Sequence, residues 1–319
     1  MPPLPLRIDV VVNRKASRLG AEGGLRRVIV DAAAKSGARV HETHNLEDLD
    51  HVARGIAARG SGAVVLAGGD GSYMAGLSAL GRACGTAPLP PVALAPGGTV
   101  CTVARNLGMR GSSSAYARRV VSGVIEGRAR SESRPTLRVV DDGGARRIGF
   151  IFGSGLVVTF FEAYYSAPRQ GLAAAARIGA RVFAGSLAGS EYAQRLLRPT
   201  RCLLRVDGQA HAAREWSLVL ASVVPDVGLH LLVPYRAGRE IERFHVVASG
   251  LAARALGAQL PRALAGLPLF GEPRVDALAR SLHVDFDSGG AGGYVLDGDL
   301  FRARSAEVQP GPLLSLLRV

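Results

Sequence analysis

Over the first 130 residues, short apolar runs alternate with segments of helical spacing. Residues 8–12 are a β-branched run that ends in a polar loop, and residues 25–36 repeat their apolar positions at helical intervals. Residues 38–43 predict a strand, 46–59 a helix, and 63–67 a buried strand flanked by glycines. A helix over about 73–82, a strand over 92–95 and a helix from about residue 100 complete the series. Strands alternating with helices predict an α/β domain on a parallel sheet. Sheets of this kind take ligands in the loops at the carboxyl ends of their strands.

From about residue 134 the pattern changes. Residues 136–141, 147–152, 201–206, 217–223, 230–234 and 283–286 are short alternating or apolar runs separated by Gly, Asp or Pro. They predict a largely antiparallel second domain over residues 132–306, after an α/β domain of residues 1–131. A helical insert is expected at 166–198. Length agrees with two domains: 319 residues and 33.2 kDa, of which 48% are hydrophobic, are enough for a substantial core and exclude disorder as the main state.

The net charge of +13 calls for an anionic partner: nucleic acid, a membrane surface or a phosphorylated ligand. Only Lys15 and Lys35 are lysines, which leaves 37 arginines. Guanidinium groups pair bidentately with phosphate, although a GC-rich genome also favours Arg over Lys. No recognition-helix, zinc or RNP motif supports nucleic acid. Cys84, Cys101 and Cys202 are widely spaced without a CxxC, as expected of a reducing, cytoplasmic setting. No signal peptide and no spanning helix are expected: residues 148–161 are too short, and 83–104 are interrupted by four prolines.

The sharpest chemistry lies in VVLAGGDGSYMAG, residues 64–76. A buried strand runs into Gly69, Asp70, Gly71 and Ser72 and then into a helix. Glycines let the backbone approach a phosphate, and helix N-terminal amides favour anions. Asp70 is either the cap of a tight turn or a carboxylate that holds Mg²⁺ or orients a hydroxyl. The segment LAPGGTVCTVARNLGM, residues 94–109, repeats the grammar with Gly98 and Thr99. Two such loops after neighbouring strands can converge on one nucleotide. In YVLDGDLF, residues 294–301, Asp297 and Asp299 flank a glycine; they offer a general base or metal contact, or simply a hairpin turn.

These motifs, in this order, resemble the diacylglycerol kinase catalytic-domain family, which includes bacterial lipid kinases and sphingosine kinases. VVVNRKAS resembles its first loop, Thr43 its second-strand threonine, GGDGS its GGDGT, PGGTVCTVARNLG its second glycine segment, and DGD its late DGE. The resemblance implies an ATP-binding α/β domain, a β-sandwich lipid domain, and a last strand near 307–319 returning to the first domain. It implies transfer of the ATP γ-phosphate to a lipid hydroxyl with Mg²⁺. Asn13, Thr43, Gly69, Gly71, Ser72, Gly98, Thr99 and Asp299 are then expected at the nucleotide, Asp70 at Mg²⁺ and the phosphates, and Asp297 as the base. Arg14 stands in place of the family's proline, Met74 and Ala75 in place of Asn-Glu, and Cys101 and Thr102 in place of Asn-Asp. The stretch 231–247 lacks the family's Asp-Asp-Gly. A pseudokinase that binds nucleotide or lipid without turnover, and a NAD kinase-like enzyme, are the alternatives.

Residues 166–205 hold seven arginines and one acid, and Ile178, Val182 and Phe183 recur at helical spacing. This helix is expected either to lie on an anionic membrane or to pack on its own sheet with a solvated face. The resulting expectation is a cytoplasmic protein, peripheral on the inner face of a membrane, with a homodimer left open.

Overall fold

The β-branched runs of the N-terminal part form buried parallel strands. A computed structural model describes residues 7–16, 19, 24–35, 37–98, 100–109, 114–287 and 292–319. The chain divides into two compact units, residues 1–136 with 312–319, and residues 137–311.

In the first unit β1 (Ile8–Asn13), α1 (Gly24–Ala34), β2 (Arg39–Thr43), α2 (Leu46–Arg59), β3 (Ala63–Gly68), α3 (Asp70–Cys84) and β4 (Val92–Pro96) alternate. They are followed by α4 (Thr102–Asn106), α5 (Ser114–Ile125) and β5 (Arg130–Arg134). The strands lie in the order β2-β1-β3-β4, all parallel. β3 and β4 are buried throughout, as befits parallel strands covered on both faces. Register brings Asn13 level with Thr43, Val12 with Ala67, and Gly68 with Pro96, so the carboxyl ends form one edge. Helix α2 shows how local sequence sets the boundaries. The Asn45 side chain accepts the Asp48 amide at its start, and Gly60 ends it in the left-handed region.

Two boundaries differ from the sequence reading. Helix α3 begins three residues before the expected 73, because Gly69 is its N-cap and Asp70 to Ser72 form its first turn. The first unit extends to Thr136 instead of ending near 131, because β5 pairs antiparallel with a C-terminal strand that itself lies beside β4. That strand is only Leu314–Arg318; residues 305–310 form a separate strand in the other unit, and Gly311 and Pro312 part the two.

The second unit contains two antiparallel sheets, in agreement with the expected class. One comprises β6 (Leu137–Asp141), β7 (Arg146–Gly149), β9 (Thr200–Val206), β10 (Gln209–Ala210), β11 (Glu215–Trp216), β15 (Leu282–Phe286) and β18 (Ser305–Pro310). The other comprises β8 (Ile151–Gly155), β12 (Leu218–Ser222), β13 (Phe244–Ser249), β14 (Arg274–Ala279), β16 (Gly292–Leu296) and β17 (Asp299–Ala303), in the order β14-β13-β12-β8-β16-β17. The chain closes with β19 (Leu314–Arg318), the strand of the first unit. Residues 230–234 are a turn and not the expected strand: Leu229 and His230 adopt positive φ, and Val233 turns into the core beside Leu218 and Val247.

Five helices among the described residues complete the unit: α6 (Leu156–Tyr165), α7 (Leu172–Ala188), α8 (Glu191–Leu196), α9 (Ala253–Gly257) and α10 (Leu260–Ala265). The apolar stripe of α7 faces its own domain. Val182 is buried in a cluster with Leu196, Leu197 and Leu256, and Ile178 packs against it. The helix packs on its own unit, but on α6, α8 and α9 and not on the sheet as expected, and Ile178 and Val182 are thereby covered. No described helix is long and apolar enough to cross a membrane.

Candidate active site

The two glycine turns of the first unit touch backbone to backbone. A Cβ on Gly69 would lie 3.3 Å from Gly98 Cα, and a Cβ on Gly98 would lie 2.5 Å from Gly69 Cα. No side chain fits between them, which is the physical reason for glycine at both positions. Gly97 N–H donates to Gly68 O at 2.7 Å and continues the pairing of β3 and β4 into the turns.

Asn13 and Ser72 tie the β1 loop to the same place. Asn13 Nδ2 donates to Ser72 Oγ at 2.8 Å, and Ser72 Oγ also accepts the Gly69 amide at 3.2 Å. Asn13 Oδ1 accepts the Lys15 amide at 2.9 Å. These two side chains therefore shape the loops at the carboxyl edge of the sheet. Thr43 is buried, with its hydroxyl 3.5 Å from Val12 O. Gly71 lies partly exposed in the first turn of α3. Thr99, the remaining residue of the expected set in these loops, lies outside the described residues. Arg14, where the family has proline, bonds Glu42 at 2.6 Å, and Glu42 also holds Arg26.

Asp70 links the two glycine turns. Its Oδ2 accepts the Thr102 amide at 2.6 Å and its Oδ1 the Val103 amide at 3.1 Å, so it caps α4, the helix that follows the second turn. Cys101 reaches this junction with a left-handed backbone, φ 50° and ψ 49°. Burial pushes the Asp70 carboxyl up to about 6, against the opposing pull of the Thr102, Val103 and Ala104 amides. Tyr73, fully buried beside it, has a hydroxyl with no hydrogen-bond partner among the described residues. Burial raises its ionisation well above the usual range.

Among the described residues no three His, Cys, Asp or Glu side chains gather as a metal cage. Asp70 still has lone-pair capacity beyond that used by the amides of α4. A nucleotide-borne Mg²⁺, which commonly takes one or two carboxylates with phosphate and water, fits that donor set.

In the second unit the DGD segment is a two-residue hairpin turn between β16 and β17, with Asp297 at φ 48° and Gly298 at φ 97°. Asp297 does not stand free as a base. Its Oδ1 accepts the amides of Ile151 at 2.8 Å and Phe150 at 3.0 Å, and Oδ2 accepts Phe150 again at 3.1 Å. The carboxylate thereby fixes the junction between β7 and β8. Asp299 is different: it has no hydrogen-bond or ion partner among the described residues, and burial alone raises its pKa. An aromatic wall stands beside it. Tyr165 O–H donates to Gly298 O at 2.7 Å, and Phe161, Tyr164 and Tyr165 contact one another along α6. Sequence reasoning missed this wall, although the run LVVTFFEAYY announces it as a helix too apolar for a solvated surface.

No curated protein matches the chain in sequence. Among solved structures, a diacylglycerol kinase from Bacillus anthracis str. Sterne is 14% identical, with TM-score 0.61 over 98% of this chain and 96% of that one. A protein from the same organism that carries a provisional diacylglycerol kinase name is 16% identical, with TM-score 0.67 over 96% and 94%. Yeast NADH kinase complexed with NADH is 12% identical, with TM-score 0.52 over 99% and 84%. At such identities these likenesses show a shared fold. In sequence, residues 7–130, the segment that carries both glycine turns and Asp70, match the diacylglycerol kinase catalytic domain, and the resemblance drawn from the motifs is borne out there.

Proposed function

We propose that the protein is an ATP-dependent kinase that transfers the γ-phosphoryl group to the hydroxyl of a lipid, a diacylglycerol-like or sphingoid alcohol. The observation that carries this reading is the contact of Gly69 with Gly98, bridged by Asp70, on the carboxyl edge of a parallel sheet. Two side-chain-free turns give close access to backbone amides, the chemistry needed to hold a triphosphate. Asp70 is the residue to hold Mg²⁺, which when bound neutralises charge on the phosphoryl oxygens. Asn13 and Ser72 keep the first turn in shape for this task.

The acceptor chemistry belongs to the second unit. Asp299 is the carboxylate available to take the proton of an acceptor hydroxyl as its oxygen bonds to the γ-phosphorus and ADP leaves. Asp297, the base expected from the sequence, is occupied by two backbone amides. The aromatic face of α6 beside Asp299 suits an apolar acceptor. This reading includes action from the cytoplasmic side at a membrane surface.

A second reading is nucleotide binding without turnover. It is favoured by the backbone amides that Asp70 already holds and by buried Met74 and Cys101 where the resembled family has asparagines.

The test is incubation of the pure protein with Mg-ATP and vesicles carrying diacylglycerol, monoacylglycerol, sphingosine or ceramide, with NAD in a parallel arm. A lipid product heavier by one phosphoryl group supports the proposal. Phosphorylation of NAD alone sinks it, and ATP binding with no product from any arm favours the second reading.

A further inference from the structure

The helical surface of the second unit has two faces in the segment from α9 to Phe270. Leu256, Ala263 and Leu269 are buried in the unit's two apolar clusters. Between them Leu264, Leu267 and Phe270 point outward and are 41%, 46% and 56% exposed. α9 packs against α7 at Ser186, and the next residue, Leu187, is exposed as well. Large apolar side chains grouped on a surface mark an interaction site more often than scattered ones do.

The segments that carry these residues are rich in arginine, and Glu272 and Asp276 line a recess beside Phe270 at their edge. Residues 166–190 and 250–271 contain no Asp or Glu. Arg177, Arg181, Arg254 and Arg262 form no ion pair among the described residues, whereas Arg205, Arg274 and Arg280 of the same unit do. Arg262 lies 3.8 Å over the Phe270 ring and donates to Pro268 O, so its charge is held at the exposed apolar tip. Exposed apolar side chains on segments whose only charged residues are arginines, four of them without an ion pair among the described residues, complement an anionic lipid interface. There the side chains enter the boundary of headgroups and acyl chains and the cations meet acidic headgroups.

We propose that α9, α10 and the Leu264–Leu267–Phe270 tip form a docking surface for an anionic bilayer. This extends the lipid-acceptor reading. The face is not the one the sequence pointed to, because the α7 stripe is buried and the exposed tip follows α10.

The experiment is sedimentation of the full chain with phosphatidylcholine vesicles, with or without about one-third phosphatidylglycerol. Binding is expected with the anionic vesicles alone and should weaken as salt is raised. Leu267→Ser and Phe270→Ser should each lower the partition coefficient by about tenfold. Phe270→Trp retains an apolar tip, and its emission should shift to the blue on anionic vesicles while buried Trp216 gives a constant background. Unchanged binding by Phe270→Ser, equal binding to both vesicle types, or binding to neither overturns the proposal. So does self-association of the wild type that Phe270→Ser abolishes, since it assigns the face to a second copy.

Acceptor dispersed in detergent micelles separates this proposal from the kinase reading. Phe270→Ser protein that phosphorylates micellar lipid but no longer binds vesicles supports the docking surface. Vesicle binding by wild type without any lipid product leaves the docking surface standing and removes the kinase.

Discussion

Gly98 sits so close to Gly69 that a methyl group on it would lie 2.5 Å from the Gly69 Cα. Both partners are backbone, so no side-chain rotation relieves the clash and the two turns must separate. Gly98→Ala is expected to cost about 1–3 kcal/mol of stability and to abolish ATP binding, read by thermal melting and by calorimetric titration. Gly69→Ala meets the same neighbour at 3.3 Å and should be milder. An alanine at 98 that binds ATP normally would show that this contact does not set the nucleotide site.

Asp70 connects those turns, and its pKa of about 6 gives it a pH signature. A carboxyl raised on folding contributes stability below its unfolded pKa, and that contribution is lost as pH rises through about 6. Asp70→Asn removes the ionisation, so relative to wild type its melting temperature should rise across the same interval. The substitution also gives up one amide acceptor at α4, about 1 kcal/mol. Phosphoryl transfer should drop by at least about 100-fold in the variant, and in wild type it should increase with pH through about 6 as the carboxylate ionises. Full activity in Asp70→Asn would remove Asp70 from the chemistry.

The parallel sheet was legible because β1, β3 and β4 are short apolar runs that end in polar or glycine-rich loops, and a buried parallel strand has little else to encode. The second domain was legible in class and less so in detail. Residues 230–234 form an apolar run like a short strand, yet Leu229 and His230 sit at positive φ and the Leu231 amide turns back to Gly228 O. Tertiary packing, with Val233 as a core residue, overrides the strand-like run. The α7 stripe was visible at Ile178 and Val182, but periodicity cannot say whether a stripe meets lipid or a neighbouring helix; Leu196 and Leu256 decide that. The two aspartates of DGD look alike in sequence. A two-residue turn sends Asp297 back onto the Phe150 and Ile151 amides and leaves Asp299 at the start of the next strand.

That difference between the aspartates separates stability from chemistry. Asp297→Asn keeps a residue tolerant of positive φ but places an NH₂ group toward backbone donors, which should cost about 2 kcal/mol. Asp299→Asn loses no hydrogen bond to described residues, so its melting temperature should stay within a degree or two of wild type, while transfer to the lipid hydroxyl falls by about 100-fold or more. The converse result, a stable and inactive Asp297→Asn with an active Asp299→Asn, would return the base to Asp297.

His245 gives the last prediction, and it opposes Asp70 in sign. It is fully buried on β13; its Nδ1 accepts the Arg236 amide at 3.2 Å, so Nε2 carries the proton toward Asp276 Oδ1 at 2.9 Å. The Tyr235 hydroxyl donates to the same carboxylate. Burial holds the His245 pKa below its usual value despite the upward pull of Asp276. A base depressed on folding leaves stability intact above the unfolded pKa, about 6.5, and loses it as pH falls toward the folded value, because the unfolded chain takes the proton first. Asp276→Asn removes the upward pull, so the loss of stability below about pH 6.5 should become steeper. His245→Phe should melt at a lower temperature than wild type at about pH 8, where the two hydrogen bonds are missed, and the gap should narrow below about pH 6. Because Asp70 gains stability over the interval in which His245 loses it, the wild-type profile alone is nearly uninformative, and the differences between each variant and wild type carry the result. A gap for His245→Phe that stays constant with pH would mean that the imidazole titrates alike in the folded and unfolded chain.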